Sequence, residues 1–269
     1  MTTEKEKIMS KETLLIIPAY NEEMNIGKVL DDLNGSAIRE QFDVLVINDG
    51  SRDSTIEVAR KHGITVLPQV FNLGYGAALQ SGYKYAADND YRYVLQMDAD
   101  GQHDVRNLEI ILKRLKGESE PSGLPQLKKK EDRIPDIVIG SRFLKGAETF
   151  KISGLKAFAI GLFNKAITIT TGYQLTDPTS GLQGLNRRTF TYYARFTNFD
   201  IQYPDLNMII QMLLKGFHIE EVPAIMHERM AGVSMHTGLI HSAQYMVIMA
   251  VSTLNILNQN RKTKNKKTT

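Results

Sequence analysis

The first half of the chain alternates short β-branched and aliphatic runs with stretches of helical periodicity, and this alternation constrains the fold most strongly. We predict strands at Leu14–Ile17, Val44–Ile47, Ile64–Leu67 and Tyr93–Met97. We predict the intervening helices at Glu22–Leu33, Ser54–His62, Tyr75–Ala87 and Val105–Leu115. Strands that alternate with helices form βαβ units, so we expect an α/β fold with a mostly parallel central sheet flanked by helices.

The second half of the chain is less regular. Residues 117–135 are rich in Gly, Pro and Lys and are predicted to form an exposed insertion. After it we predict a strand at Asp136–Gly140, a helix at Leu155–Thr171, a strand at Gly181–Leu185 and a helix at Leu206–Lys215. We find no internal repeat and expect one catalytic domain over residues 13–235, preceded by a flexible N-terminus over residues 1–12.

The C-terminal region has an apolar segment followed by a cationic one. Residues 239–257 lean apolar but are broken by His241, Gln244 and Asn255, so they do not read as a spanning helix. We predict an amphipathic helix over residues 236–260 and a basic, disordered tail over residues 261–269. Such a pair can lie on an anionic membrane surface. The alternative is a core-packing helix with a solvated tail.

Composition excludes some classes of site. The chain has no cysteine, so neither a disulfide framework nor a thiolate metal site can form. A formal net charge of +3 over 269 residues does not point to nucleic acid, and we expect no nucleic-acid partner. The N-terminus lacks the apolar run of a secretory signal, which favours a cytoplasmic location.

Three polar motifs follow the predicted strands. Pro-Ala-Tyr-Asn-Glu comes after the first strand, Asn-Asp-Gly-Ser after the second and Asp-Ala-Asp after the fourth. Ligands of parallel α/β sheets bind beyond the carboxyl ends of the strands. We therefore expect the three motifs to meet at one edge of the sheet and to form a single site.

Asp98 and Asp100 are the candidate metal ligands. Residues two apart in extended backbone point to the same side, so both carboxylates can face one ligand. Hard oxygen ligands suit Mg²⁺ or Mn²⁺, whose remaining ligands are substrate phosphates and water. Gln102 and His103 follow and can add a ligand or support one. Taken alone, an Asp-x-Asp pair is more often a solvated turn, and it is the neighbouring motifs that favour a metal site.

Two further motifs suit a nucleotide. Asp49 can accept hydrogen bonds from the ring N–H groups of a base, although a β-turn with a helix cap at Asp53 or Ser54 would also explain this motif. The glycine-rich stretch around Gly74 lacks the third glycine of a dinucleotide fingerprint and the Gly-Lys of a P-loop. We interpret it as a helix N-terminus that can face phosphate, and we reject an NAD site.

Taken as an ordered set, these motifs resemble family 2 glycosyltransferases with the GT-A fold, especially the polyprenyl-phosphate glycosyltransferases. The set runs from about Leu14 to about Ser234 and comprises Pro-Ala-Tyr-Asn-Glu, Asp-Gly-Ser, Asn-x-Gly, Asp-Ala-Asp-Gly-Gln-His, Gly-Ser-Arg and Asp-Pro-x-Ser-Gly. Several members carry C-terminal transmembrane helices, whereas this chain has only the marginal segment above. A separate small membrane-protein partner is the alternative route to the lipid.

The resemblance implies roles for the matching positions. The base and ribose would be held by Pro18, Ala19, Tyr20, Glu22 and Asp49. Asp98 would lie near the ribose and diphosphate, and Asp100 with Gln102 would hold the metal. The acceptor or the phosphates would be contacted by Ser141, Arg142, Asp177, Arg229 and Ser234.

The sequence thus predicts an inverting, metal-dependent hexosyltransferase at the inner face of the membrane, with UDP favoured over GDP because Asp49 suits uracil. Two acceptors remain open. A lipid phosphate is largely dianionic at neutral pH and needs no strong base, so Asp177 would only position it. A sugar hydroxyl would need Asp177 or Asp205 as the base. More distant alternatives are a nucleotidyltransferase and a non-catalytic nucleotide-binding protein at the membrane surface.

Overall fold

The computed structural model describes residues 11–120, 133–150, 154–229 and 247–260. Its strands are β1 (Thr13–Ala19), β2 (Asp43–Asn48), β3 (Thr65–Pro68), β4 (Tyr93–Gln96), β5 (Ile137–Ser141), β6 (Gln183–Asn186) and β7 (Ile219–Pro223). Its helices are α1 (Glu23–Asn34), α2 (Thr55–Lys61), α3 (Tyr75–Asp88), α4 (Arg106–Lys116), α5 (Gly154–Thr171), α6 (Arg187–Tyr193), α7 (Leu206–Leu214) and α8 (247–260). Short 3₁₀ turns occupy Ala37–Gln41 and Phe196–Asn198.

The strands form one seven-stranded sheet in the order β3-β2-β1-β4-β6-β5-β7. All neighbours pair in parallel except β6, which is antiparallel to both β4 and β5. The predicted α/β class and mostly parallel sheet are confirmed. The order reverses beside β1, which places the ends of β1, β2 and β4 next to one another.

The sheet is covered by helices on both faces, and the strand residues alternate between the two layers. Leu14 and Ile16 face the layer of α3, α5, α6 and α7. Leu15 and Ile17 face the layer of α1, α2 and α4. All seven residues of β1 are buried, which explains why this strand is a continuous apolar run and not an alternating one.

The predicted elements of the first half agree with the structure to within two residues at each end. In the second half, α6 and β7 were missed. Arg187 and Arg188 begin α6, and the Asn186 side chain caps its first turn. The two glutamates of β7 interrupt its apolar pattern, so periodicity gave no strand signal there.

The C-terminal helix packs on the α7 side of the molecule. Met249 of α8 is fully buried in the same apolar layer as α7, and Ser252 bonds to Asn207. Within the described ranges, no helix is long and apolar enough to cross a membrane. Residues 1–10, 121–132 of the expected insertion, 236–246 of the expected amphipathic helix and the tail 261–269 lie outside the described residues.

Candidate functional site

The loops after β1 and β2 are tied together by side chains that bond to backbone. Asn21 accepts from the backbone N–H of Arg52, and its own N–H donates to the Ser51 hydroxyl. Asn21 adopts the left-handed conformation, which asparagine tolerates better than most residues. Asp53 accepts from the backbone N–H of Glu23 and of Thr55 and so joins the starts of α1 and α2. These hydrogen bonds join the loops after β1 and β2 into one continuous surface, the ledge.

Asp49 organises the glycine-rich turn that precedes α3. Its two carboxylate oxygens accept from the backbone N–H of Leu73 at 2.7 Å and of Gly74 at 2.9 Å. Gly50 must be glycine, since its φ is +69° and a Cβ would lie 2.6 Å from the backbone of Phe71 and Asn72. Asp49 is almost fully buried, and its two hydrogen bonds to Leu73 and Gly74 determine the shape of the turn. Its carboxylate oxygens keep lone pairs that can accept further hydrogen bonds.

The other residues assigned to the base and ribose lie around this ledge. Pro18 and Ala19 are in β1, and the Ala19 carbonyl accepts from the backbone N–H of Asp49. Tyr20 directly follows β1 with 42% of its surface exposed, so its ring is available to a planar ligand. Gly74 has a φ of +93° and no atom near its missing Cβ, which leaves open space before α3.

Asp98 is held by a chain of buried polar groups. The Tyr83 hydroxyl donates to Gln96, the Gln96 amide donates to the Tyr75 hydroxyl, and Tyr75 donates to Asp98 Oδ1 at 2.9 Å. His103 Nδ1 accepts from the Asp98 backbone N–H, and its Nε2 lies 3.8 Å from Oδ2. Burial raises the pKa of Asp98 and outweighs the opposing effect of His103.

Asp100 and Glu22 share one cation, Arg229. The Arg229 Nη2 donates to Glu22 Oε1 at 2.6 Å, and its Nη1 lies 3.7 Å from Asp100 Oδ2. Asn25 also donates to Glu22 at 2.6 Å. Burial raises the pKa of Glu22 despite these partners. Residues far apart in sequence thus bring two carboxylates and a guanidinium to the same point at the sheet edge.

The carboxylates fit a divalent cation whose other ligands come from substrate. In the described part of the chain, no group of three or more His, Asp or Glu side chains is arranged as a complete metal site. Mg²⁺ and Mn²⁺ are commonly bound through one or two carboxylates plus phosphate oxygens, which matches Asp98 and Asp100. Gln102 donates its backbone N–H to Asp100 and thereby fixes the turn between them.

Arg142 and Asp177 form a buried ion pair on the other side of β4. Arg142 donates to Asp177 through Nε and Nη2, each at 2.6 Å, and through its backbone N–H at 3.1 Å. Asp177 is fully buried. Ser141, also fully buried, bonds to Thr176 and to the backbone of Phe143, so it supports the loop that carries Asp177. Ser234 lies outside the described residues.

Glu221 is a site residue that sequence reasoning missed. It lies in β7 with 1% of its surface exposed and accepts from the backbone N–H of Thr176 and of Asp177, both at 2.7 Å. Burial raises its pKa to about 7. The available signal was a pair of adjacent acids within an otherwise apolar run, which is an unusual composition for a buried strand.

A small cavity is lined in part by Tyr75, whose hydroxyl donates to Asp98. Its volume is about 20 Å³, room for about one ordered water molecule, and its lining also includes Gln96, Gly181 and Asp205. Gly181 approaches Asp98 so closely that a Cβ there would lie 2.6 Å from Oδ2. Asp205 lines the same small cavity as Tyr75 and Gly181, whereas Asp177 is turned toward Arg142.

Known proteins match both this sequence and this fold. The family model for glycosyl transferase family 2 matches residues 14–193. A dolichyl-phosphate beta-glucosyltransferase of Trichomonas vaginalis is 30% identical over 257 residues, covering 89% of this chain and 71% of that protein. A polyprenol monophosphomannose synthase of Mycolicibacterium smegmatis is 25% identical over 242 residues, covering 85% and 82%.

Among solved structures, glucosyl-3-phosphoglycerate synthase from Mycobacterium tuberculosis is similar, with a TM-score of 0.62 and 18% identity. The match covers 91% of this chain and 79% of that one, whose complex holds Mn²⁺, UDP-glucose and phosphoglyceric acid. This likeness establishes the GT-A fold. The match to the family model covers more than half of the chain and coincides with the motifs at the sheet edge. The chain is therefore a member of glycosyltransferase family 2, an enzyme that transfers hexosyl groups.

Proposed function

We propose that this enzyme transfers a hexose, with inversion, from a nucleoside diphosphate sugar to a polyprenyl phosphate. The observation that carries the proposal is the meeting of Glu22, Asp100 and Arg229 beside Asp98 at the strand ends. A donor diphosphate brings negative charge to this point, where Arg229 can reach it. The names of the relatives, which act on dolichyl and polyprenol phosphates, support the acceptor class.

The donor's nucleotide fits the ledge formed by the loops after β1 and β2. Tyr20 offers an exposed ring for the base, and Asp49 retains acceptor capacity next to the turn at Gly74. A single ring N–H flanked by carbonyls, as in uracil, suits one carboxylate oxygen, so we favour UDP over GDP.

Mg²⁺ or Mn²⁺ held by Asp98 and Asp100, with support from Gln102, would neutralise the leaving diphosphate. Tyr75 and His103 orient Asp98 through its carboxylate and its backbone N–H. The Arg229 guanidinium can exchange its contacts with Glu22 and Asp100 for contacts with a donor phosphate. Preorganised cationic groups of this kind stabilise the charge that develops on the leaving group in the transition state.

The state of Asp177 supports a phosphate acceptor over a sugar hydroxyl. Both of its oxygens accept from Arg142, and the residue is fully buried, which is poor geometry for removing a proton. A phosphate monoester is largely deprotonated at neutral pH and needs no base. Asp177 then positions Arg142 beside the acceptor phosphate. The second candidate is transfer to a sugar hydroxyl, with Asp205, which lines the small cavity beside Tyr75, as the base.

The exposed apolar residues support a peripheral site at the inner face of the membrane. On α8, Val247, Val251 and Leu254 are more than half exposed and recur at helical spacing. On α5, Phe158 and Ile169 are more than 70% exposed. Both helices pack against α7, and α8 leads into the cationic segment 261–269. An apolar face next to basic residues suits an anionic lipid surface, with or without a small membrane-protein partner.

The test is a transfer assay with purified protein, short-chain polyprenyl phosphate and a panel of radiolabelled UDP- and GDP-sugars. We expect label to move into organic solvent in a reaction that depends on Mg²⁺ or Mn²⁺. Donor hydrolysis without an organic product would support the hydroxyl acceptor instead. Equal use of GDP-sugars would overturn the UDP preference, and a product that retains the anomeric configuration would overturn inversion.

A further inference from the structure

Two adjacent glutamates of β7 face opposite sides of the sheet and meet different partners. Glu220 forms a two-pronged ion pair with Arg114 at 2.6 and 2.7 Å and also bonds to His218. Glu221, on the other side, is directed at the loop before Asp177. Alternation along a strand explains the division, since neighbouring side chains point to opposite faces. Glu220 is therefore explained by its ion pair, while Glu221 requires another explanation.

Glu221 clamps the backbone of the loop that carries Asp177. Its Oε2 accepts from the Thr176 N–H at 2.7 Å and from the Thr176 hydroxyl at 3.0 Å. Its Oε1 accepts from the Asp177 N–H at 2.7 Å. Both oxygens of one carboxylate thus bind two consecutive residues. Such bonds to a charged acceptor are about twice as strong as those between neutral groups.

The strand pairing explains why this clamp aligns Asp177 with Arg142. β7 pairs in parallel with β5, and Glu221 lies opposite Ile139. Arg142 directly follows the carboxyl end of β5 and donates to the Asp177 side chain. Glu221, on the neighbouring strand β7, accepts from the Asp177 main-chain N–H. The two residues together determine where the Asp177 carboxylate lies.

We propose that Glu221 is a positioning residue for the acceptor side of the transfer site, acting through the backbone of Thr176 and Asp177 on the Asp177–Arg142 pair. The identity of the acceptor rests on the proposed function, but the clamp itself does not. The two amides bind different oxygens of the carboxylate, and protonation or amidation converts one of these oxygens into a donor group.

The clamp is sensitive to pH in the neutral range. Burial raises the pKa of Glu221 to about 7, and the nearby Asp177 carboxylate acts in the same direction. Asp177 and Arg142 are the charged groups on the same face of the sheet as Glu221. Glu220, Arg114 and His218 lie on the opposite face of the sheet. As the pH falls through about 7, Glu221 takes up a proton and the hold on the loop weakens.

The experiment compares wild-type protein with Glu221→Gln, which resembles the protonated form, and with Glu221→Asp, which keeps the charge but shortens its reach. Hydrogen exchange at the amides of Thr176 and Asp177 is measured at pH 8, together with UDP affinity and acceptor kinetics from pH 5.5 to 8.5. Glu109→Gln, an exposed carboxylate on α4, is the matched control. The Asp variant covers the case in which the Gln variant does not fold.

We expect both Glu221 variants to lose protection at these two amides and roughly 10- to 100-fold of kcat/KM for the acceptor, while UDP affinity changes less than about twofold. The loss of wild-type activity below about pH 7 should vanish in Glu221→Gln, which stays at the low level throughout. Wild-type protection and acceptor KM in the variants would overturn the proposal, as would an equal loss of UDP affinity. If polyprenyl phosphate is not the acceptor, the exchange measurement still tests the clamp.

Discussion

The guanidinium of Arg142 donates to both carboxylate oxygens of Asp177, Nε to Oδ2 and Nη2 to Oδ1, at 2.6 Å each. The pair is almost completely withdrawn from water, with the side chains 10% and 0% exposed. A two-pronged pair of this kind fixes orientation as well as charge. Asp177 therefore fixes the position of the Arg142 guanidinium, which under the proposed function contacts the anionic acceptor.

Arg142→Ala should destabilise the protein, because it leaves the Asp177 carboxylate buried without its cation. Breaking one side of a buried ion pair costs about 3–5 kcal/mol in free energy of unfolding. Urea unfolding measures this loss. The double variant Arg142→Ala/Asp177→Ala should be less destabilised than the sum of the single variants, and strictly additive effects would show that the pair is not coupled.

Asp100→Ala should abolish metal-dependent transfer while leaving the fold intact. Asp100 lies at the sheet edge with its side chain 12% exposed, and its removal also frees Arg229 from one of its carboxylates. Calorimetric titration of Mn²⁺ in the presence of UDP should show weakened binding. Asp32→Ala, on the surface of α1, is the control and should bind Mn²⁺ as the wild type does. Normal activity in well-folded Asp100→Ala would refute the metal assignment.

Gly181→Ala should impair the donor site without unfolding the protein. The new Cβ would lie 2.6 Å from Asp98 Oδ2 and 3.1 Å from the Tyr75 hydroxyl, so the Asp98 carboxylate must move. A displacement of the Asp98 carboxylate by about 1 Å can reduce kcat/KM about 100-fold. Transfer kinetics and UDP-sugar affinity measure the effect.

The control for this change is Gly161→Ala, in the exposed middle of α5 with open space around its Cβ. Alanine there should leave activity unchanged and raise stability by up to about 1 kcal/mol, because glycine disfavours helix interiors. Equal activities of the two alanine variants would show that close packing of Gly181 on Asp98 has no functional role.

Glu220 should make stability fall in acid. Burial acts to raise its pKa, but the bonds from His218 and Arg114 prevail and lower it to about 2 from the usual 4.5. A lowered folded-state pKa gives stability that is present above pH 4.5 and lost as the pH falls toward 2. Glu221 works in the opposite sense, since its raised pKa makes ionisation between pH 4.5 and about 7 unfavourable to folding.

Urea unfolding of wild type and Glu220→Gln at several pH values measures this contribution. The stability difference between them should be on the order of 2 kcal/mol at neutral pH and should shrink as the pH falls below 4.5. Glu109→Gln, which removes an exposed carboxylate, should run parallel to the wild type. A difference that does not change with pH would mean that Glu220 titrates normally.

Membrane binding should depend on both the apolar face of α8 and the basic tail. Replacing Val251 and Leu254 with glutamate puts charge on residues that are 52% and 59% exposed, so the fold should tolerate it. Co-sedimentation with anionic liposomes at low salt should fall for this variant and after deletion of residues 261–269. Ile110→Glu, on α4, is the control. Unchanged binding of both variants would rule out this surface.

The sequence by itself determined the fold class and predicted where the site lies. The apolar runs at Leu14–Ile17 and Val44–Ile47 are separated by helical periodicity. They predict parallel strands because two neighbouring strands joined by a crossover helix run in the same direction. The polar motifs come directly after those runs, and parallel strands bring such positions to one edge. The spacing of Asp98 and Asp100 predicted a metal site, the resemblance to a family added the acceptor-side roles of Arg142 and Asp177, and both assignments stay predictions.

Tertiary structure decided what each polar residue touches. Arg142 and Asp177 are 35 residues apart, and Glu22 and Arg229 are 207 apart. No local pattern encodes these pairs, since they depend on which strands are neighbours in the sheet. The same holds for Glu221, which with Glu220 forms a pair of adjacent charges that interrupts the apolar pattern of β7. Its meaning appears only when β7 lies beside β5, because a buried carboxylate is tolerated where backbone amides converge on it.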